Sequence, residues 1–194
     1  MSHACQLSYN KEFITSKKAV ALIGATFFIL ATALGSYVRI PVPGSPVPIT
    51  LQTFFVLLAG AILGRRLGTA SQAGYMLLGA MGLPVFQGTS IGAAYLLGPT
   101  GGYIAGFVAA AYITGFLLRS DRPGMARIIS SFAIGSFVIY LFGALWLIIM
   151  YRMSLTNAVS AGVLPFIPGD MAKVLLASVV YSGISQRSKQ IFSS

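Results

Sequence analysis

Acidic residues are nearly absent from this chain. Three occur in 194 positions, against thirteen Lys and Arg, for a net charge of +10. Histidine and cysteine occur once each, as His3 and Cys5, both in a polar N-terminal stretch. No disulfide can form within one chain. A His/Cys metal site inside the apolar part is excluded, and so is a Ser–His pair for intramembrane proteolysis. The dipeptide Gly-Lys does not occur, so there is no G-x-x-x-x-G-K-[ST] loop to cradle ATP phosphates. A Ser–Lys dyad stays formally open through Lys173, but its neighbour Asp170 argues for an ion pair instead. The residues point away from an enzyme, and they call for no metal and no cofactor.

What the chain does have is oil. It is 56% hydrophobic and 8% charged, with a mean hydropathy of +0.84. Soluble domains carry about a quarter charged residues, so this chain cannot cover a water-facing surface. Its solvent is the bilayer and its lipid. In a soluble protein the +10 would suggest nucleic acid; here it reads as topology, because Lys and Arg collect in cytoplasmic loops. Nucleic acid is not an expected partner.

The pattern predicts an all-α integral membrane protein with six transmembrane helices, at about 19–38, 49–64, 67–82, 100–118, 127–151 and 168–186. Residues 67–118 are uncharged throughout, too long for one helix, and the Gly- and Pro-rich stretch within must turn. The basic residues check the count. With the N-terminus in the cytoplasm, that side holds Lys11, Lys17, Lys18, Arg65, Arg66, Arg119, Arg122, Arg127, Arg187 and Lys189, and the outside holds Arg39 and Arg152. This distribution places both termini inside. The expected organisation is a polar tail at 1–16, one membrane domain at 17–186 and a C-terminal tail at 187–194. A cleaved signal peptide is the rival for the first helix, but its apolar run exceeds the 7–15 residues of a typical signal core.

The outward side gathers unusual segments. Residues 39–48, "RIPVPGSPVP", hold four prolines, which stop a helix and stiffen an extended chain. The segment is either a lid or a connector. Further on, "VFQGTS" and "LLGPTGGYIAG" combine close-packing glycines with Gln87, Tyr95 and Tyr103, which offer an amide and two flat polar-tipped faces. Small-residue helix packing would use such glycines too.

Within "LPFIPGDMAKVLLASVV", residues 164–180, Pro168 and Asp170 suit a helix start. Lys173 does not, since a cation one turn into a helix opposes the dipole. Three residues apart, the two share a face. Charges at membrane depth are costly and mark functional sites by default, although a purely structural ion pair remains an alternative. As a site, the pair offers one strong acceptor and one strong donor. It fits a small, flat, partly apolar molecule with N–H and C=O or carboxylate groups.

Four motifs in order, "RIPVPGSPVPITLQTFFVLLAGAILG", "GYMLLGAMGLPVFQG", "LLGPTGGYIAGF" and "FIPGDMAKVLLA", resemble the BioY family, the biotin-binding S components of energy-coupling factor (ECF) transporters. The resemblance covers about residues 19–186. It implies the S-component fold, a location in the plasma membrane and an outward pocket covered by the loop between helices 1 and 2. It implies that Asp170 accepts a ureido N–H of biotin, while Lys173 donates to the ureido oxygen or, alternatively, meets the valerate carboxylate. Tyr103 would pack on the bicyclic ring, with Gln87 as a further contact; Tyr95 is a candidate substrate contact from the outward cluster of residues itself. It implies partners: an ECF transmembrane coupling subunit and two ATPase subunits. Ala21 and Ala25, a small-xxx-small pair on the first helix, are candidates for docking that subunit or for ordinary packing. An ATP-independent facilitator and an S component for another vitamin are the competing functions.

Overall fold

A computed structural model describes residues 3–86, 92–120 and 123–192, with side chains from residue 17 onward apart from 187 and 189. Helix α1 (His3–Tyr37) leads into a small hairpin of β1 (Arg39–Ile40) and β2 (Ile49–Thr50). There follow α2 (Gln52–Ala80), the short α3 (Ala93–Leu96), α4 (Gly101–Leu117) and α5 (Met125–Tyr151). A surface helix α6 (Leu155–Gly162) and one 3₁₀ turn (Leu164–Phe166) precede α7 (Ile167–Phe192).

The two expected helices at 49–64 and 67–82 are present, joined without a loop. Gly64 breaks α2 at φ 76°, ψ 174°, a region in effect reserved for glycine. The chain folds back there. A straight helix would hold Gln52 and Tyr75 about 35 Å apart at 1.5 Å per residue, yet the Gln52 side-chain amide donates to the Tyr75 hydroxyl at 2.6 Å. Close backbone approach makes the hairpin and its neighbour pack. A Cβ on Gly68 would strike the Ala59 carbonyl oxygen, and one on Gly115 of α4 would strike the main chain at Gly60 and Arg65. The folded α2 therefore lies against α4, which packs on α5, while α1 packs on α2 and α7 lies against both α2 and α5.

The boundaries differ from expectation in three places. The second helix starts at Gln52 rather than 49, because Ile49 and Thr50 pair with Ile40 and Arg39 as strands. Helix α1 runs back through the polar stretch to His3, and α7 runs on to Phe192. No glycine or proline stands between 3 and 23, or between 184 and 192, to stop either one. The sequence reading also missed α3, α6 and the 3₁₀ turn, pieces too short to carry an apolar period.

Large apolar side chains stand exposed around the outside, Leu22, Phe27 and Leu34 on α1, Phe137 on α5 and Val179 on α7 among them. Soluble proteins rarely expose so much. By length and composition Lys17–Tyr37 and Met125–Tyr151 can each cross a membrane as one helix; the apolar stretch Gln52–Ala80 is divided by the fold at Gly64, Leu155–Gln186 joins α6, the 3₁₀ turn and most of α7, and Gly101–Leu117 is a shorter apolar helix. The two ends of the bundle differ. Arg65, Arg119 and Arg127 gather at the far end of α4, where Arg127 donates to the Leu117 carbonyl at 3.0 Å. Lys11, Arg187 and Lys189 belong to the same charge tally, but their side chains lie outside the description, as does Arg122 altogether. The opposite end carries the strand hairpin, the start of α7 and the cavity.

Candidate functional site

The Pro-rich segment 39–48 is folded, and its end faces inward. Ser45 closes the turn by accepting from Val47 N–H at 3.1 Å, with Gly44 at φ 78°. Val47 is buried, and Leu51 N–H anchors the strand end to the carbonyls of Gly35 and Val38 on the α1 side. Val47, Pro48, Ile49 and Thr50 form the roof of a partly open cleft with about 500 Å³ of empty space, its mouth included. The end of the segment thus lies over the cleft, in the place a lid would take.

Asp170 and Lys173 line this cleft from the first turns of α7. The 3₁₀ turn and Pro168 start that helix, and Asp170 sits where the dipole favours a carboxylate. Lys173 Nζ donates to Asp170 Oδ1 at 2.6 Å, to the Thr50 carbonyl at 2.5 Å and to Thr53 Oγ1 at 3.3 Å. Thr53 in turn donates to Asp170 Oδ1 at 3.2 Å, and Tyr140 donates to Asp170 Oδ2 at 2.6 Å. The side chains are 13% and 7% exposed for Lys173 and Asp170, so this is a buried pair. Buried charges persist where they are paired and further hydrogen-bonded, and both conditions hold here. The lysine that opposes its own helix dipole is compensated by a carboxylate, a carbonyl and a hydroxyl.

The walls are aromatic and aliphatic. Tyr103 is held rigidly: its hydroxyl donates to the Gly162 carbonyl at 2.6 Å, and its ring fills the space that a side chain at Gly143 would need. Tyr95 stacks on Phe86 at 4.8 Å between ring centroids. Both tyrosines line the cleft with Phe107, Ile139 and Phe166. Polar atoms are few. Gln52 receives a hydrogen bond from Thr50 Oγ1 at 3.1 Å, while Thr100 Oγ1 is buried without a partner among the described residues. Such a site takes a mostly apolar ligand oriented by a few fixed polar groups.

Of the residues expected from sequence, Asp170, Lys173, Tyr103 and Tyr95 come together around one cavity. Gln87 lies outside the described residues. Ala21 and Ala25 are elsewhere, half-buried on the α1 stripe that continues into buried Phe28 and Thr32. Between them, a Cβ on Gly24 would meet Leu63 and Phe192. Gly24 thus packs against the chain's own helices, while Ala21 and Ala25 beside it keep a half-exposed edge. Sequence reading missed Thr50, Gln52, Thr53 and Tyr140. A signal existed for the first three: polar residues crowded at the start of an otherwise apolar helix, directly after a proline segment. Tyr140 gave none.

Fold and site together define a small multi-pass integral membrane protein of helices with a partly open cleft beneath the strand hairpin at one end. The sequence profile of the BioY family matches residues 8–190, and the chain belongs to that family. It is 40% identical over 159 residues to the biotin transporter BioY of Thermotoga maritima, covering 82% of this chain and 92% of the relative. It is 42% identical over 163 residues to the probable biotin transporter BioY of Pyrococcus horikoshii, covering 84% and 93%. Among solved structures, it is similar to the S-component for biotin from an ECF-type ABC transporter. That match has a TM-score of 0.78 and 29% identity, over 87% of this chain and 92% of the other.

Proposed function

We propose that the chain is the substrate-binding membrane subunit for biotin uptake, taking biotin into the cleft under the 39–50 hairpin and delivering it through an ATP-driven ECF module. The observation that carries this is the Asp170–Lys173 pair facing a partly open, aromatic-walled cleft, in a chain of a family whose relatives are named biotin transporters. The carboxylate Oδ2, bonded only to Tyr140 among the described residues, keeps an acceptor site for a ureido N–H. The ureido oxygen takes the place of Thr53 on the ammonium. Tyr103 and Tyr95 contact the ring system, and Gln87 completes the contacts.

The topology proposed with it has six spans in the plasma membrane: α1, the two halves of α2, α4, α5 and α7. Residues 17–186 form one membrane domain. Both termini lie in the cytoplasm with the arginine-rich end, and the lid faces outward. The partners are a transmembrane coupling subunit and two ATPase subunits, since this sequence has no phosphate loop of its own. Ala21 and Ala25 enter docking only through their half-exposed edge.

Titration calorimetry on the purified chain tests the ligand. Biotin should bind tightly, and Asp170→Asn and Lys173→Ala should each weaken it sharply; unchanged affinity in both variants would dismiss this site. Uptake in a host lacking the coupling and ATPase subunits tests the module, with robust ATP-independent uptake pointing to a facilitator.

A further inference from the structure

The cleft carries no net charge. Among the described lining residues Lys173 is the one cation and Asp170 the one anion, and they are paired. An ammonium has three N–H donors and no more. All three have protein acceptors: Asp170 Oδ1, the Thr50 carbonyl and Thr53 Oγ1. No cationic donor is left over for a ligand. The Thr53 contact, at 3.3 Å, is the longest of the three, so it is the one a ligand oxygen displaces. That oxygen then shares the ammonium with Asp170 Oδ1, only 2.6 Å from Nζ. A neutral carbonyl tolerates such a neighbour. A carboxylate would set a second negative charge beside the first, in surroundings where charges are poorly screened.

Among the described lining residues nothing else answers a carboxylate with a charge. The unpartnered Thr100 hydroxyl is neutral. Residues 87–91, Gln-Gly-Thr-Ser-Ile, contain no basic side chain. Arg39 and Arg152 are exposed at this end of the bundle, but neither lines the cleft. A carboxylate buried without a partner is strongly disfavoured, so an anionic tail has to rest at the open mouth, in water.

We infer that this pocket reads the neutral cyclic urea of biotin and leaves the charge of its carboxylate tail unread. Neutral-tail derivatives, the carboxamides and esters, are therefore ligands in their own right. The inference rests on the biotin reading above and narrows it: recognition ends at the ring system and the alkyl chain.

The test is calorimetry on the purified full chain with biotin, biotin carboxamide and biotin methyl ester, at low and high salt. The carboxamide should bind within about threefold of biotin, and biotin affinity should change less than about threefold with salt, because no charge-to-charge contact is screened. Arg39→Gln and Arg152→Gln should leave the biotin-to-carboxamide ratio where it was. A carboxamide weaker by about tenfold or more overturns the inference, since loss of one buried charge partner costs at least that much. An arginine variant that weakens biotin but spares the carboxamide also overturns it, by identifying a reader of the tail. A chain that binds the carboxamide and ester as it binds biotin supports it. A chain that binds none of the three fails the biotin reading itself.

Discussion

The ammonium of Lys173 donates to the main-chain carbonyl of Thr50 at 2.5 Å, across 123 residues of sequence. The first turns of α7 are thereby tied to the last residue of the lid. One side chain serves the ion pair and the roof of the cavity together, so the lid has an anchor that does not depend on ligand.

Lys173→Met keeps the apolar stem and removes all three donors. A hydrogen bond to a charged group contributes about 1.5–3 kcal/mol. Amide exchange across 39–50 should therefore quicken by about tenfold or more without any ligand present. Exchange at the rate of the parent would mean that Val47 burial and the Leu51 anchor hold the lid alone.

Breaking the pair from one side should be worse than removing it. Asp170→Asn strands a buried ammonium, which costs about 3–5 kcal/mol. Asp170→Asn combined with Lys173→Met removes both charges and should unfold at a higher temperature than either single variant, while remaining unable to bind biotin. Thermal melts of the four proteins form a double-mutant cycle. Additive losses would show that the two charges do not sense one another.

Tyr140 fixes the rotation of the Asp170 carboxylate from α5 through its 2.6 Å bond to Oδ2. Tyr140→Phe keeps the ring in the wall and frees that oxygen to turn. By the same figure of about 1.5–3 kcal/mol for a hydrogen bond to a charged group, biotin should bind about ten- to hundredfold more weakly, with helix content unchanged. Parent affinity would remove Tyr140 from the site.

The parts of this architecture that obey a period or a charge rule are readable in the sequence. Apolar length set the helices, and Gly64 beside Arg65 and Arg66 marked the turn between two of them. Asp170 and Lys173 stood out because charge in an apolar helix is costly. Thr53 and Tyr140 did not stand out, because a hydroxyl in such a helix is cheap and common; their roles arise only when α2, α5 and α7 converge. The hairpin escaped for a related reason. Its two strand pairs are too short for an alternating pattern, and four prolines hide the pairing that Arg39, Ile40, Ile49 and Thr50 make. The reach of α1 to His3 is not legible in the apolar pattern, because that pattern ends where the polar residues begin, whereas helix ends follow breakers.

The shape of the cavity depends on two glycines that touch no ligand. Gly143 on α5 and Gly162 at the end of α6 flank Tyr103, and a Cβ at either would collide with that side chain. The ring has little room to retreat, since Tyr103 is 7% exposed and packed among Ile104, Phe107 and Ile139. Gly143→Ala should therefore drive the ring toward the cleft and weaken biotin binding by about tenfold or more, the range that overpacking of about 1–3 kcal/mol would produce. Tyr103→Phe separates shape from hydrogen bonding. It keeps the ring and loses the 2.6 Å bond to the Gly162 carbonyl, so stability should fall by about 1 kcal/mol while affinity changes little. Gly183→Ala, on α7 with open space around its Cβ, is the control and should leave both unchanged or raise stability slightly. If Gly143→Ala and Gly183→Ala bind biotin alike, the seat of Tyr103 does not shape the pocket.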